Sequence, residues 1–117
     1  MDDDDGIRES LGLLLQAHRF EPLLYRSGEE ILAEPEAYDF DCVILDLDLP
    51  GINGLDVLAS IRSEIPKIPV IFMTALQTGQ LKQAAQNVDA AAILDKPVRD
   101  GKLIEIINTA IGVEGHA

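Results

Sequence analysis

The sequence predicts an α/β protein built on a doubly wound parallel sheet, and three observations carry that expectation. Short apolar runs alternate with stretches of helical spacing, the signature of right-handed βαβ crossovers and a sheet covered on both faces. The chain has 117 residues, enough for one domain around one core and too few for two. Single polar residues stand at the ends of three of the apolar runs, Asp46, Thr74 and Lys96. That is where open α/β sheets bind ligands.

Each element follows from its local pattern. Ile7, Leu11, Leu14, Leu15 and His18 recur at helical spacing over 7–18. The stretch 21–26, Glu-Pro-Leu-Leu-Tyr-Arg, reads as a short extended segment opened by proline, and so as a strand in the αβαβαβαβα pattern. Ser27 with Glu30 three residues later forms a capping box, starting a short helix that Pro35 ends. Residues 40–47 are nearly continuous in apolar and β-branched side chains, as a strand buried on both faces requires. A Pro-Gly-Ile-Asn-Gly turn at 50–54 leads into a helix over 55–65, its face marked by Leu55, Leu58, Ala59 and Ile61 or Arg62. Pro66 and Pro69 close that helix, and 69–73 is a second buried strand. Residues 77–87 form a polar, weakly amphipathic helix, 90–94 a third buried strand, and 99–111 a last helix bearing Leu103, Ile104, Ile106, Ile107 and Ala110.

Composition narrows the function. Twenty-one acids against nine Lys and Arg give a net charge of −12, the reverse of the footprint that counterion release on DNA or RNA needs, so direct nucleic-acid binding is not expected. Cys42 is the only cysteine, which excludes an internal disulfide and a Cys-based zinc site; within its apolar run it reads as a small core residue. No run approaches the roughly 18 apolar residues of a membrane span, and acids occupy the start where a signal peptide is basic. The expectation is a cytoplasmic protein with no membrane partner.

If the three strands are neighbours, Asp46, Thr74 and Lys96 converge on one crevice, and Asp2 and Asp3, just ahead of the first helix, can add two carboxylates. Three carboxylates around one point repel unless a cation holds them, and an all-oxygen donor set suits Mg²⁺. A carboxylate beside that ion can attack phosphorus to give an acyl phosphate. The ion, the Lys96 ammonium and the Thr74 hydroxyl could then each serve one oxygen of the transferring group.

These residues, Asp2-Asp3, Asp46 within Ile44-Leu45-Asp46-Leu47-Asp48-Leu49-Pro50-Gly51-Ile52-Asn53-Gly54, Thr74-Ala75 and Lys96-Pro97, resemble the receiver domain of two-component response regulators from residue 2 to about residue 112. The resemblance implies a flavodoxin-like sheet of order 2-1-3-4-5, for which a member of this family is a standard example. It also implies one receiver domain over 1–117 with no output domain. Asp46 would be the phosphoacceptor, with Thr74 and Lys96 binding the phosphoryl group. Asp3 would bind Mg²⁺ directly, Asp2 through water, and the backbone carbonyl of Asp48 would complete the metal site with Asp46. A cis peptide is implied at Lys96-Pro97. The implied partner is a sensor histidine kinase or histidine phosphotransfer protein, and the catalysis is only of the domain's own phosphorylation and dephosphorylation.

Three departures accompany the likeness. The family's first strand, central in the 2-1-3-4-5 order, should be ending where Met1 stands, and without it two strand edges are unpaired. A truncated or misassigned start is therefore expected, or compensation by pairing strand 2 with strand 3, or a strand-exchanged dimer; an ordinary homodimer is also compatible. The α-ammonium of Met1 would then lie near the metal carboxylates and compete with the ion. Ile93 stands where the family usually has an aromatic switch residue, so a signal would run through the loop around Thr74 and the helix after it. Asp48 and Leu76 occupy positions that in this family tune dephosphorylation.

Each residue also has a plainer reading. Asp2 to Asp5 could be a helix-capping acidic run or an engineered leader, Thr74 a strand-end cap and Lys96 a surface charge; His18 and His116 have no partner pattern. Asp46 is harder to dismiss, because a carboxylate ending a buried apolar run needs a partner. Two further functions remain open at this point: a pseudo-receiver used only for protein interaction, and a haloacid-dehalogenase-like phosphatase with Asp48 as general acid/base. The short chain, with no room for a cap domain, and the absence of an acidic pair soon after Lys96, where only Asp100 is near, speak against the phosphatase.

Overall fold

Residues 70–74, Val-Ile-Phe-Met-Thr, are all buried, and they form the middle of the sheet because only a strand covered on both faces tolerates so unbroken an apolar run. The computed structural model describes residues 1, 5–33, 41–47, 54–75, 80–96 and 98–111. Within them the order is α1 (Asp5–Ala17), α2 (Gly28–Leu32), β1 (Val43–Asp46), α3 (Gly54–Glu64), β2 (Val70–Thr74), α4 (Gln80–Gln86), β3 (Ala92–Asp95) and α5 (Asp100–Ala110). The strands pair in parallel in the order β1-β2-β3, with Leu45 opposite Phe72 and Phe72 opposite Ile93. This is an α/β fold with an open parallel sheet, and its three strands are the 3-4-5 part of the expected order.

Two cores flank the sheet. Ile31, Leu45, Val57, Leu58, Ile61, Val70 and Phe72 pack together on one face. On the other, Ile71, Leu103 and Ile107 gather Leu11, Leu14, Leu15 and Ile44. Helix faces differ in detail from the sequence reading. Ile7 is 41% exposed and His18 is exposed, so among the described residues α1 packs on this core through Leu11, Leu14 and Leu15. In α3 the buried stripe is Gly54, Val57, Leu58 and Ile61, and Ala59 faces out. The capping box forms: Ser27 Oγ accepts from the Glu30 N–H at 3.2 Å, while Glu30 Oε1 accepts from the Arg26 N–H at 2.8 Å, one residue before the cap.

The segment 21–26 corrects the sequence reading, for it joins no strand ladder among the described residues. Nor does it pair with β1, so the proposed pairing of strands 2 and 3 is not observed. In the expected order its hydrogen-bonding neighbour is the first strand. Met1 N donates to Ile44 O at 2.8 Å and Met1 O accepts the Asp46 N–H at 3.2 Å, the bridge of a parallel ladder with Met1 opposite Leu45. The Met1 nitrogen is thus engaged by the strand backbone two residues before Asp46.

Arg62 ties the other end of the sheet together. From α3 its guanidinium donates to the carbonyls of Val88, Ile68 (3.1 Å) and Asp89 (3.1 Å), linking the connections that enter β2 and β3. Charge-assisted bonds to carbonyls are among the stronger ones. Arg62→Ala is expected to lower the unfolding free energy by about 2 kcal/mol, read as a lower urea midpoint at unchanged slope.

Cys42 lies beside β1 and is only partly buried. Burial pushes its thiol up from 9.0 to about 11, the Asp41 charge adds to the rise, and the bond to the Val43 carbonyl offsets part of it. A thiol ionised at lower pH when unfolded than when folded favours the folded state below pH 9, and that contribution is lost as pH rises through 11. At pH 8 the folded chain should alkylate with iodoacetamide about a hundredfold more slowly than the chain in urea.

Candidate functional site

The last residues of β1 and β2 and the first residue after β3 are the polar residues the sequence singled out. Register explains why they meet. Asp46 is opposite Met73 on β2, Thr74 is opposite Asp95 on β3, and Lys96 follows immediately. The strand ends are fixed by Leu47 N donating to Met73 O at 2.9 Å and Lys96 N donating to Thr74 O at 2.8 Å. This register sets Asp46, Thr74 and Lys96 at one end of three adjacent strands.

Asp46 is 1% exposed and Thr74 fully buried. The Lys96 ammonium donates to Asp46 Oδ2 at 2.6 Å, and its own side chain keeps 24% exposure. A carboxylate this deep requires a cation or several donors. Lys96 is one, and the chain supplies it from the far side of the sheet, 50 residues away.

Three of the predicted site residues are thus placed: Asp46 and Lys96 in contact, and Thr74 buried at the end of the strand between them. Asp2, Asp3 and Asp48 lie outside the described residues, as do Leu76 and the Lys96-Pro97 peptide. No group of three His, Cys, Asp or Glu side chains able to hold a metal occurs among the described residues. The donor chemistry nevertheless fits a hard cation. Asp46 offers a buried carboxylate, and Met1, the residue immediately before Asp2 and Asp3, is hydrogen-bonded to Asp46 itself. Ile93, on β3, is partly buried against the core beside Phe72.

Gly54 is a contributor that the sequence reading placed only in a turn. A Cβ at this position would stand 3.3 Å from Asp46 O and 3.5 Å from the Phe72 ring. The first turn of α3 therefore rests directly on the backbone of β1, and only glycine permits that approach without displacement. The signal was present as Asn53-Gly54 ahead of a helical pattern, but its meaning needed the position of β1.

Comparison with known proteins agrees with this fold. The profile of the response regulator receiver domain matches residues 1–108. The transcriptional regulatory protein FixJ of Bradyrhizobium diazoefficiens is 30% identical over 111 residues, covering 95% of this chain and 54% of that protein. Among solved structures, a CheY-like response regulator receiver domain protein from Methanospirillum hungatei superposes with a TM-score of 0.87 at 26% identity, covering 96% of this chain and 90% of that one. A receiver domain protein from Clostridium thermocellum gives 0.83 at 31% identity, covering 97% and 91%. The chain spans about half the length of the FixJ proteins it matches. Among the described residues no helix is long and apolar enough to cross a membrane. With its parallel α/β sheet and its sequence matched over residues 1–108, the chain belongs to the response regulator receiver domain family of two-component systems.

Proposed function

We propose that this receiver domain accepts a phosphoryl group on Asp46 from the phosphohistidine of a sensor kinase or phosphotransfer protein. The observation that carries the reading is the Lys96 ammonium at 2.6 Å from Asp46 Oδ2, beside the buried Thr74. A carboxylate oxygen of Asp46 attacks phosphorus, the P–N bond breaks, and the imidazole leaves with the bonding pair. Lys96 is held where negative charge accumulates, and the Thr74 hydroxyl is a donor for a second phosphoryl oxygen. Burial of Asp46 keeps bulk water from the resulting acyl phosphate. Asp2, Asp3, Asp46 and the Asp48 carbonyl are the residues that would hold Mg²⁺, which supplies charge neutralisation between carboxylates and phosphate.

The partner surface is assigned to the stretch from Thr74 to Asn87. Within α4, Ala85 is buried while Gln83 and Gln86 are exposed, so that helix is little committed to the core. With Ile93 in place of an aromatic, the phosphorylated state biases the two-state equilibrium through Thr74 and the chain that follows it.

Acetyl phosphate with Mg²⁺ should raise the intact mass by one phosphoryl group, and Asp46→Ala or chelation with EDTA should abolish the increase. An unmodified wild-type chain would instead favour the interaction-only module. Steady turnover of p-nitrophenyl phosphate would favour the phosphatase.

A further inference from the structure

Alternation along the strands divides the polar residues between the two faces of the sheet. Successive residues of a strand point to opposite faces, and residues paired across strands share one. Ile44 and Leu94 pack in the core that gathers on Leu103 and Ile107, so Asp46 and Lys96, two residues further along, leave the sheet on that face. Their contact at 2.6 Å agrees with this. Phe72 and Ile93 pack in the other core, with Ala85 of α4. Thr74 and Asp95, each two residues further along and opposite one another in the register, therefore leave on the α4 face.

Phosphoryl transfer to Asp46 asks the Thr74 hydroxyl to serve an oxygen of a group carried on the opposite face. Thr74 is fully buried, so its side chain must turn over the end of the sheet, and the surroundings it leaves set the cost of turning. On the strand beside it, Ile93 shares the α4 face and has no hydrogen-bonding group in its side chain, whereas Asp95 is polar and exposed. A carboxylate attracts the positive end of an O–H dipole and repels the phosphoryl oxygens that compete for it. Both effects favour the arrangement with Thr74 on the α4 face.

On the reading of Asp46 as the phosphoacceptor, we propose that Asp95 is a positioning residue for the phosphoryl site. Its carboxylate holds the Thr74 hydroxyl on the α4 face of the unphosphorylated chain and lowers the population in which that hydroxyl is turned to Asp46. Phosphorylation must overcome this hold, so the charge at position 95 sets how far the two-state equilibrium lies toward rest.

The test compares the full chain with Asp95→Asn, Asp95→Glu, Thr74→Val and the double variant Thr74→Val, Asp95→Asn. Intact mass gives the steady ratio of phosphorylated to unmodified chain in acetyl phosphate and Mg²⁺. Without donor, the three-bond coupling of the Thr74 methyl carbon to its own amide nitrogen reads the side-chain rotamer. Asp95→Asn is expected to raise the ratio about fivefold and to move the Thr74 coupling toward rotamer averaging. Asp95→Glu keeps the charge and should stay near wild type. In the Thr74→Val background Asp95→Asn should change nothing, because the effect runs through the hydroxyl. An unchanged ratio or an unchanged coupling in Asp95→Asn would mark a solvated edge charge and overturn the proposal. An increase that persists in the Thr74→Val background would also overturn it, as general repulsion of the donor. Failure of the phosphoacceptor reading shows separately, as a wild-type chain with no uptake, and takes the proposal with it.

Discussion

Replacing Lys96 with methionine is expected to lower the unfolding free energy by about 3 kcal/mol. The side chain of Asp46 is 2% exposed and the ammonium lies 2.6 Å from its Oδ2. Methionine preserves the length of the stem and removes only the charge, so a deeply buried carboxylate must do without this cation. Breaking a buried pair from one side costs about 3–5 kcal/mol, and the lower end applies because Lys96 itself retains 24% exposure. The same asymmetry makes Asp46→Asn the milder change, since the ammonium left behind can turn toward water. Urea midpoints of the two variants, compared at constant slope, should fall in that order.

Phe72→Ala is expected to cost about 4 kcal/mol. Phe72 is fully buried at the middle of the central strand, paired with Leu45 on one side and Ile93 on the other. Its ring edge lies against Gly54, where α3 meets the Asp46 backbone. Strand neighbours on both sides limit collapse into the cavity, so most of the lost contact is not recovered. For a domain of this size that is a large fraction of the total stability. The circular-dichroism melting temperature should drop by well over 10 °C. The cavity also loosens the support under β1, and the proposed phosphoryl uptake should slow in the surviving folded fraction.

Much of this was legible in the residues. Buried parallel strands need unbroken apolar runs, and the runs ending at Asp46, Thr74 and Lys96 announced both the sheet and the carboxyl ends where chemistry sits. Helices were legible from spacing, with their ends set by Ser27 and the prolines, although spacing alone misassigned Ala59 and Ile7 to buried faces. Segment 21–26 failed for a different reason. Its proline-opened run reads as extended chain, but a strand exists only when a neighbour takes its hydrogen bonds, and local sequence does not contain the neighbour. The same holds for Gly54, whose necessity comes from a backbone brought close by the fold, and for Arg62, whose three carbonyl partners converge only after β2 and β3 are in register.

The proposed reaction turns the carboxylate buried under Lys96 into an acyl phosphate. Borohydride reduces an acyl phosphate to the alcohol, so treatment of the acetyl phosphate and Mg²⁺ reaction, followed by proteolysis and peptide mass spectrometry, marks the acceptor as homoserine. Homoserine at position 46, absent without acetyl phosphate, is the predicted result; modification at any other residue, or none, would contradict it.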